Sequence, residues 1–335
     1  MERNPYFYNH NNSICNEIYY MLKEIITREN ADGLLLSGGL DSSIIASFQK
    51  PKYTFTVSLE GYGSDQNYAK LIAEKYGSKH IQVIIEKNKL LKIEEKIVNL
   101  FKTFDPIFIR NSSVIFAAVE KAREINISSI LTGDGSDELF AGYNYLKRYY
   151  NSKEELELTL KKLWESMHFP SQKIGNFFNV RVFSPYLDEN FLTFAKSINV
   201  SMKIGYYQNK IWGKFILRKC FENWEHLEQI AWREKEAQEE GSGFSNIRNY
   251  FDQIISDNEY SNHIFTISNH DNVIIRNKEH LFYYLLYRKY FSSPKDDITI
   301  NDKRICPHCN CSFIWNGHFC RVCGAFPVNP IIHDN

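Results

Sequence analysis

The chain has 335 residues, a length that corresponds to about two domains. Apolar residues make up 43% of it, so it can bury a core, and wholesale disorder is excluded. Its 40 basic and 40 acidic side chains cancel, which argues against a protein that depends on general attraction to nucleic acid or to an anionic membrane. The polar start and the lack of any apolar run near 18 residues indicate no signal peptide and no membrane span, so we expect a cytoplasmic protein.

Short apolar runs predict strands, and amphipathic segments between them predict helices. The strands are expected at 33–36, 53–59, 81–85 and 129–132, and the helices at 14–28, 44–48, 68–76 and 113–123. This alternation is typical of an α/β fold, a doubly wound mostly parallel sheet with helices on both faces. Ligands in such folds bind beyond the carboxyl ends of strands, and glycine turns follow the first and fourth strands at such ends.

Beyond residue 150 the apolar spacing is helical, and it predicts no further strand before a linker at about 294–302. We therefore predict a large domain at 1–295, with its sheet part at about 30–150 and a helical part at about 151–295. A small module is predicted at 303–330.

The first glycine turn, residues 37–43 (SGGLDSS), follows a strand and opens a helix. Glycines let the backbone approach an anion, and the amides at the helix N-terminus supply positive potential, so the turn suits a phosphate group. Asp41 could hold a magnesium ion against the phosphates. The turn has no lysine and is not a Walker-type loop. The alternative, a glycine-rich turn without a ligand, leaves the three serines and the aspartate unexplained.

The second glycine turn, residues 131–143 (LTGDGSDELFAGY), carries three carboxylates within five residues, on Asp134, Asp137 and Glu138. Such crowding is unfavourable unless a cation or a basic group is held there. A solvated acidic helix start is the alternative. It accounts poorly for the flanking glycines.

Five of the seven cysteines lie near the C-terminus. Two CxxC pairs there predict a tetrahedral structural zinc site in a reducing compartment, with His308 and Cys311 as spare ligands. The predicted zinc ligands are Cys306, Cys309, Cys320 and Cys323. This zinc ribbon could contact RNA, a protein partner or the catalytic domain, or act only as a cap. Cys15 and Cys220 stand alone, and Cys15 is predicted to be a packed thiol.

The two glycine motifs together resemble the synthetase domain of glutamine-dependent asparagine synthetases, β-lactam synthetases and lasso-peptide cyclases, within the PP-loop ATP pyrophosphatases. The resemblance implies an adenine nucleotide alpha hydrolase-like fold over about residues 12–294. Supporting segments occur in the same order. They are Ser64-Asp65, Tyr68-Ala69, His80, Asp105, Arg110, Ser112, Arg181, 185–188 (PYLD), 214–218 (KFILR), 232–236 (WREKE), 241–243 (GSG), Lys278-Glu279 and Tyr284.

The resemblance implies an enzyme that uses ATP and magnesium to adenylate a carboxylate, aspartate being favoured, and then transfers an amine with release of pyrophosphate. By position, Leu36, Val57 and Gly133 would contact adenosine, and Ser37, Gly38, Gly39, Asp41, Ser42 and Ser43 would hold pyrophosphate. Asp41 and Asp137 would bind magnesium, while Asp137 and Glu138 would contact the substrate. Asp134 would handle the amine proton, and Lys235 would meet the phosphates or the oxyanion, unless it is a solvated loop lysine. Arg110 would bind a carboxylate or phosphate, or pair with Asp105.

The sequence departs from the family pattern in two places. Glu2 stands where a glutaminase domain would have its cysteine nucleophile, and the phosphate loop comes too early for such a domain. We therefore expect the amine to be free ammonia, to come from a separate glutaminase, or to lie on the substrate itself. Asn179 and Val180 replace an expected acidic residue, so ATP use is better supported than aspartate use. Another acid, a peptide, a tRNA nucleoside or a non-catalytic nucleotide-binding role are the alternatives.

Overall fold

The protein is described here by a computed structural model covering residues 12–224, 227–234, 236–298, 304–313 and 317–332. The helices are α1 (Asn12–Glu29), α2 (Leu40–Gln49), α3 (Asp65–Lys75), α4 (Lys87–Phe101), α5 (Pro106–Glu124), α6 (Ser136–Leu139), α7 (Lys153–Ser166), α8 (Ser171–Phe178), α9 (Glu189–Ser197), α10 (Phe215–Phe221), α11 (Glu228–Ala231), α12 (Gln238–Gly241), α13 (Ile247–Ile254), α14 (Asp257–Asp271) and α15 (Lys278–Tyr290). The strands are β1 (Gly33–Leu35), β2 (Tyr53–Leu59), β3 (Lys79–Ile85), β4 (Ser129–Leu131), β5 (Arg181–Phe183), β6 (Ile204–Tyr207), β7 (Lys210–Gly213), β8 (Arg304–Ile305) and β9 (Ile331–Ile332).

The main sheet has the strand order β3-β2-β1-β4-β5. Strand β1 pairs in parallel with β2 and with β4, and β4 pairs in parallel with β5. Gly33 lies opposite Tyr53 on one side and opposite Ile130 on the other. The predicted α/β fold with a mostly parallel sheet is confirmed. Because the strand order reverses between β1 and β4, their carboxyl ends form a switch point where ligands bind in such sheets.

The region after residue 150 is mainly helical, as predicted, but it also contains strands where the sequence predicted none. Strand β5 adds to the main sheet, and β6 and β7 form an antiparallel hairpin. These strands have only three or four residues, too few to show an alternating pattern, so tertiary pairing rather than local sequence creates them. The hairpin matters for the site, because β7 ends directly before Lys214.

The described residues fall into two compact units. The first comprises those within 1–58, 64–83 and 117–237, and the second those within 59–63, 84–116 and 238–335. The second unit includes the C-terminal cysteine module, while the domain boundaries drawn from the sequence remain a prediction. Among the helices described, none is long and apolar enough to cross a membrane.

One interpretation of the cysteines is wrong. Cys15 on α1 and Cys220 on α10 form a disulfide in the first unit, with a Cα–Cα distance of 5.2 Å, so neither is a lone thiol. Both are buried, as the packing interpretation expected. The two residues are 205 positions apart, and only the packing of α1 against α10 brings them together. No local sequence signal reports such a contact.

Several charged side chains are buried inside the second unit, on α4, α5 and α15. Arg110 forms an ion pair with Glu279, and its guanidinium lies 3.8 Å from a carboxylate oxygen of Glu239. Glu94 is fully buried, and this burial raises its pKa to about 8, with a smaller contribution from the charge of Glu279. Glu94 therefore carries a proton at neutral pH.

We expect Glu94→Gln to stabilise the protein at alkaline pH and to change its stability little at acidic pH. In the folded protein the pKa of Glu94 is about 8, whereas an unfolded glutamate has a pKa near 4.3. The native state thus binds more protons between these values, so the wild type loses stability as pH rises through that window. Chemical denaturation at pH about 4 and about 8.5 should show the variant ahead by at least ~1 kcal/mol only at the higher pH.

Glu95→Gln provides the matched control, because Glu95 is the next residue on α4 and its side chain is 36% exposed. Its stability should stay within ~0.5 kcal/mol of the wild type at both pH values. If Glu94→Gln and the wild type lost stability equally between the two pH values, the neutral buried carboxyl would be refuted.

Candidate active site at the carboxyl edge of the sheet

The turn between β1 and α2 lies against the start of α3. Gly38 has φ +70°, and a Cβ atom there would come within 2.5 Å of the backbone of Tyr68 and Ala69. Only glycine tolerates both this backbone conformation and this approach. The turn is therefore packed closely at the N-terminus of α2, the end of a helix that favours an anion.

The serine hydroxyls of this turn interact with its backbone and with one another. The amide of Ser37 donates to Ser42 Oγ at 3.3 Å, and the amide of Gly39 donates to Ser37 Oγ at 3.2 Å. Ser43 is fully buried, and among the described residues its Oγ has no hydrogen-bond partner. A buried hydroxyl without a partner is unfavourable unless a water or a ligand satisfies it, so this orphan oxygen fits a bound phosphate.

The residues predicted to contact adenosine lie near the same edge. Leu36 follows β1 and is fully buried, with its amide bonded to the carbonyl of Phe55 at 2.8 Å. Val57 is buried on the neighbouring strand β2. Gly133 follows β4, and a Cβ atom there would lie 3.2 Å from the Cβ of Asp41. The two glycine turns are therefore in contact, as the parallel pairing of β1 and β4 requires.

A lysine joins the two aspartates that the sequence assigns to magnesium. Lys214 Nζ lies 2.5 Å from Asp41 Oδ2 and 2.7 Å from Asp137 Oδ1, and its side chain is only 2% exposed. Asp41 Oδ1 also accepts a hydrogen bond from Ser136 Oγ at 2.8 Å. This ammonium is the basic group that the crowding of carboxylates demanded.

The ion pair between Lys214 and Asp137 lies directly against Gly142 and leaves no room for a side chain there. A Cβ atom at Gly142 would fall 1.9 Å from Asp137 Oδ1 and 2.3 Å from Lys214 Cε, so a larger residue would displace the pair. The Lys214 amide donates to the carbonyl of Phe140 at 2.8 Å. The sequence analysis predicted no role for Lys214, although residues 214–218 were among the segments that resemble the family. The unmet need for a positive charge beside residues 134–138 was the signal that could have identified it.

The remaining acidic residues of the second turn are in a less polar setting. Burial raises the pKa of Asp134, although its Oδ2 accepts hydrogen bonds from Ser171 and from Thr132, the latter at 3.1 Å. Burial raises the pKa of Glu138 to about 7, and Tyr143 donates to its Oε1 at 2.5 Å. Both groups titrate nearer neutral pH than ordinary carboxyls, which suits proton transfer.

Arg233 contacts the first glycine turn, residues 37–43, directly. Its guanidinium donates to the carbonyl of Gly38 at 3.2 Å, pairs with Asp65 at 2.9 Å, and lies 3.9 Å from the ring centroid of Tyr68. It therefore joins the first turn of α3 to the glycine turn, a role that the sequence did not assign. Lys235, the predicted phosphate or oxyanion ligand, lies outside the described residues.

Two other predicted groups lie in the second unit. Arg110 has Glu279 and Glu239 as its ion-pair partners there, rather than Asp105. The four predicted zinc ligands are brought together, since their sulfur atoms all lie within 4.8 Å of one another and could hold a metal ion. These are Cys306, Cys309, Cys320 and Cys323, all buried.

These features define a class of protein: an α/β protein with a glycine turn of a form that suits an anion and with an acidic pair at the switch point of a parallel sheet. The family model described as "Asparagine synthase" matches residues 29–179 and 153–296, so the chain belongs to the asparagine synthase family. The resemblance seen in the motifs is thereby confirmed.

Curated relatives agree with this assignment. Asparagine synthetase (glutamine-hydrolyzing) 2 of Oryza sativa subsp. japonica is 28% identical over 305 residues, which are 83% of this chain and 51% of that protein. Asparagine synthetase (glutamine-hydrolyzing) 1 of Arabidopsis thaliana is 28% identical over 80% of this chain and 49% of its own length. Asparagine synthetase B (glutamine-hydrolyzing) of Escherichia coli (strain K12) is 33% identical over 64% of this chain and 42% of its own length. The chain spans about half the length of the curated relatives it matches.

Proposed function

We propose that the chain is an ATP-dependent ligase that adenylates a carboxylate, with aspartate favoured, releases pyrophosphate and transfers an amine to form an amide. The observation that carries this proposal is the contact between the two glycine turns, where Lys214 joins Asp41 and Asp137. A phosphate-type turn, an acidic pair and carboxyls of raised pKa occur together at the sheet edge where ligands bind. Membership in the asparagine synthase family supports the same chemistry.

In the first proposed step, a carboxylate oxygen of the substrate attacks the α-phosphorus of ATP. The bond between that phosphorus and the bridging oxygen breaks, and pyrophosphate leaves. The turn formed by residues 37–43 would hold the pyrophosphate through its amides and hydroxyls, including the otherwise unpartnered Ser43 Oγ. Arg233 would act indirectly, because its bonds to Gly38 and Asp65 keep the turn in place.

In the second step, the amine nitrogen attacks the acyl carbon, the carbon–oxygen bond to AMP breaks, and the nitrogen loses a proton. Asp134 and Glu138 lie in the second turn, and burial raises the pKa of each. A carboxyl with a pKa of about 7, as at Glu138, can exchange a proton near neutral pH. We assign the amine proton to Asp134 and contact with the substrate to Glu138 and Asp137.

The acidic pair fits a magnesium ion in its chemistry. Magnesium prefers hard oxygen ligands and is commonly bound by one or two carboxylates together with substrate phosphates. Asp41 and Asp137 would supply these carboxylates and would share them with Lys214. The ion would offset the phosphate charge that develops as pyrophosphate leaves.

The proposal also names the acid substrate and the source of the amine. Aspartate is favoured because of the family, and the amine would be free ammonia or would come from a separate glutaminase. A cytoplasmic location likewise remains a prediction from the sequence.

We expect pyrophosphate release when the protein is incubated with ATP, magnesium, ammonium and aspartate, and asparagine should accumulate in equal amount. Parallel reactions with glutamate, with other small acids and without an acid serve as controls. Replacing ammonium by glutamine, with and without an added glutaminase, identifies the amine source.

If pyrophosphate were released only with an acid other than aspartate, the proposed adenylation chemistry would stand, and that acid would be the substrate. An absence of release with every acid, combined with no detectable ATP binding, would refute the proposed function.

A further inference from the structure

We propose that the cysteine module binds one zinc ion and that this ion stabilises the second unit of the same chain, by holding the module against the turn that begins α5. The module contains two metal-binding turns, the first knuckle (residues 306–310) and the second knuckle (residues 320–324). This role is independent of the ligase chemistry proposed above. It names a function for the zinc ribbon, for which the sequence left several alternatives.

The spacing of the sulfur atoms fits a tetrahedral zinc ion. Cys306 Sγ lies 3.9 Å from Cys323 Sγ, and Cys309 Sγ lies 3.8 Å from Cys320 Sγ. Zinc with Zn–S bonds of about 2.3 Å separates its sulfurs by about 3.8 Å in a tetrahedron. These four cysteines are free of disulfide bonds and buried, so a bound zinc ion satisfies all four sulfurs together.

The backbone of both knuckles has the form of a metal-binding turn. Each CxxC pair is followed by a residue in the left-handed region, Asn310 with φ 55° and Gly324 with φ 73°. The amide of His308 points at Cys306 Sγ at 3.4 Å, which stabilises a thiolate. Cys311 Sγ lies 3.6 Å from Cys320 Sγ but is not one of the four sulfurs that all lie within 4.8 Å of one another.

The first knuckle is hydrogen-bonded to the segment between α14 and α15. The carbonyl of His308 accepts from the amide of Ile274 at 2.8 Å, and Asn310 Nδ2 donates to the carbonyl of Asn272 at 2.5 Å. The first bond uses a backbone carbonyl of the knuckle and the second uses the side chain of Asn310, so the contact depends on the fold of the knuckle and on one of its side chains.

The second knuckle is bound to the turn before α5. The carbonyl of Val322 accepts from the amide of Phe104 at 2.8 Å and from Thr103 Oγ1 at 3.0 Å. The carbonyl of Cys323, a predicted zinc ligand, accepts from Arg276 at 2.7 Å. At Gly324 an added Cβ atom would lie 2.2 Å from Asp105 Oδ1, so only glycine permits this contact.

This turn determines where α5 begins. Asp105 is buried, and its Oδ1 accepts from the amide of Ile107 in the first helical turn at 3.1 Å. Arg110 follows on the same helix and pairs with Glu279 of α15. A module of this size cannot build a sufficient core, so metal binding would supply its folding free energy. Through the second knuckle, that free energy also stabilises the start of α5.

The test uses the full-length chain and hydrogen exchange measured by mass spectrometry. Purified protein should contain about one zinc ion per chain. Removal of the metal with 1,10-phenanthroline should speed exchange of residues 103–116 by at least ~10-fold. The non-chelating isomer 1,7-phenanthroline is the matched control and should leave exchange unchanged.

A variant then separates contact from metal binding. Gly324→Ala keeps every cysteine but inserts a methyl group against Asp105, so it should speed exchange of residues 103–116 while zinc is still bound. Gly77→Ala is its control, since Gly77 has a similar φ of +70° but open space around it. Should Gly324→Ala fail to fold, Thr103→Val removes the hydroxyl that donates to Arg321 and Val322 without touching the module.

The proposal is supported if zinc removal and the contact variants expose the same segment. It is overturned if the purified chain lacks zinc, or if zinc can be removed without any change in exchange of residues 103–116. Unchanged exchange after zinc removal would show that the ribbon does not stabilise the start of α5. None of these readouts uses ligase activity, so failure of the proposed function would leave the test intact.

Discussion

Asp41→Asn should lower ATP-dependent pyrophosphate release by about 10²–10³-fold, the range seen when a group that stabilises transition-state charge is lost. Asn keeps the shape of the side chain and can still accept the hydrogen bond from Ser136 Oγ. It loses the negative charge that faces Lys214 and that would hold magnesium beside the leaving pyrophosphate. The fold should survive, because the substitution removes charge but little volume.

The measurement is the initial rate of pyrophosphate release, with thermal unfolding as a check on folding. Asp32→Asn provides the control, since Asp32 is exposed at the other end of β1 and should not affect the rate. A folded Asp41→Asn protein with near wild-type activity would eliminate Asp41 as a magnesium ligand.

Lys214→Met should cause the largest loss of stability among the single changes considered. The ammonium is almost fully buried and compensates two carboxylates, on Asp41 and Asp137. Removing one partner of a buried ion pair leaves an uncompensated charge and typically costs about 3–5 kcal/mol. The free energy of unfolding, measured by chemical denaturation without divalent ions, should fall by that order.

Magnesium should restore part of this loss, because a cation that binds only the folded state stabilises it by mass action. The midpoint of unfolding of Lys214→Met should therefore rise with added magnesium more than that of the wild type. Lys210→Met is the matched control, since Lys210 is 60% exposed and pairs with Glu234 at the surface. Its stability should change by less than ~1 kcal/mol. Equal stability of Lys214→Met and Lys210→Met would mean that the buried pair is not needed to compensate the acidic turn.

The local sequence was sufficient for features that depend on short-range patterns. Strand β2 was predicted at its observed limits, because apolar and polar residues alternate over its seven positions, a pattern that favours a strand. The two glycine turns were recognised because a left-handed backbone conformation, such as φ +70° at Gly38, favours glycine and therefore shows in the sequence. The CxxC pairs carried their own spacing, and the structure brings their sulfurs together.

Contacts between distant segments could not be predicted from local patterns. Lys214 reaches Asp41 across 173 positions, and Cys15 reaches Cys220 across 205, so neither contact has a local pattern. Both depend on α10, which follows the β6–β7 hairpin that the sequence did not predict.

The sequence by itself determined the parallel sheet, its two glycine turns and the cysteine set of the module, since backbone sterics and ligand spacing act within a few residues. Only the tertiary structure decided which cation compensates the acidic pair, which cysteines pair, and where the cysteine module is bound. Those choices follow from burial, because a charge or polar group removed from water must find its partner among whatever side chains the packed elements place beside it.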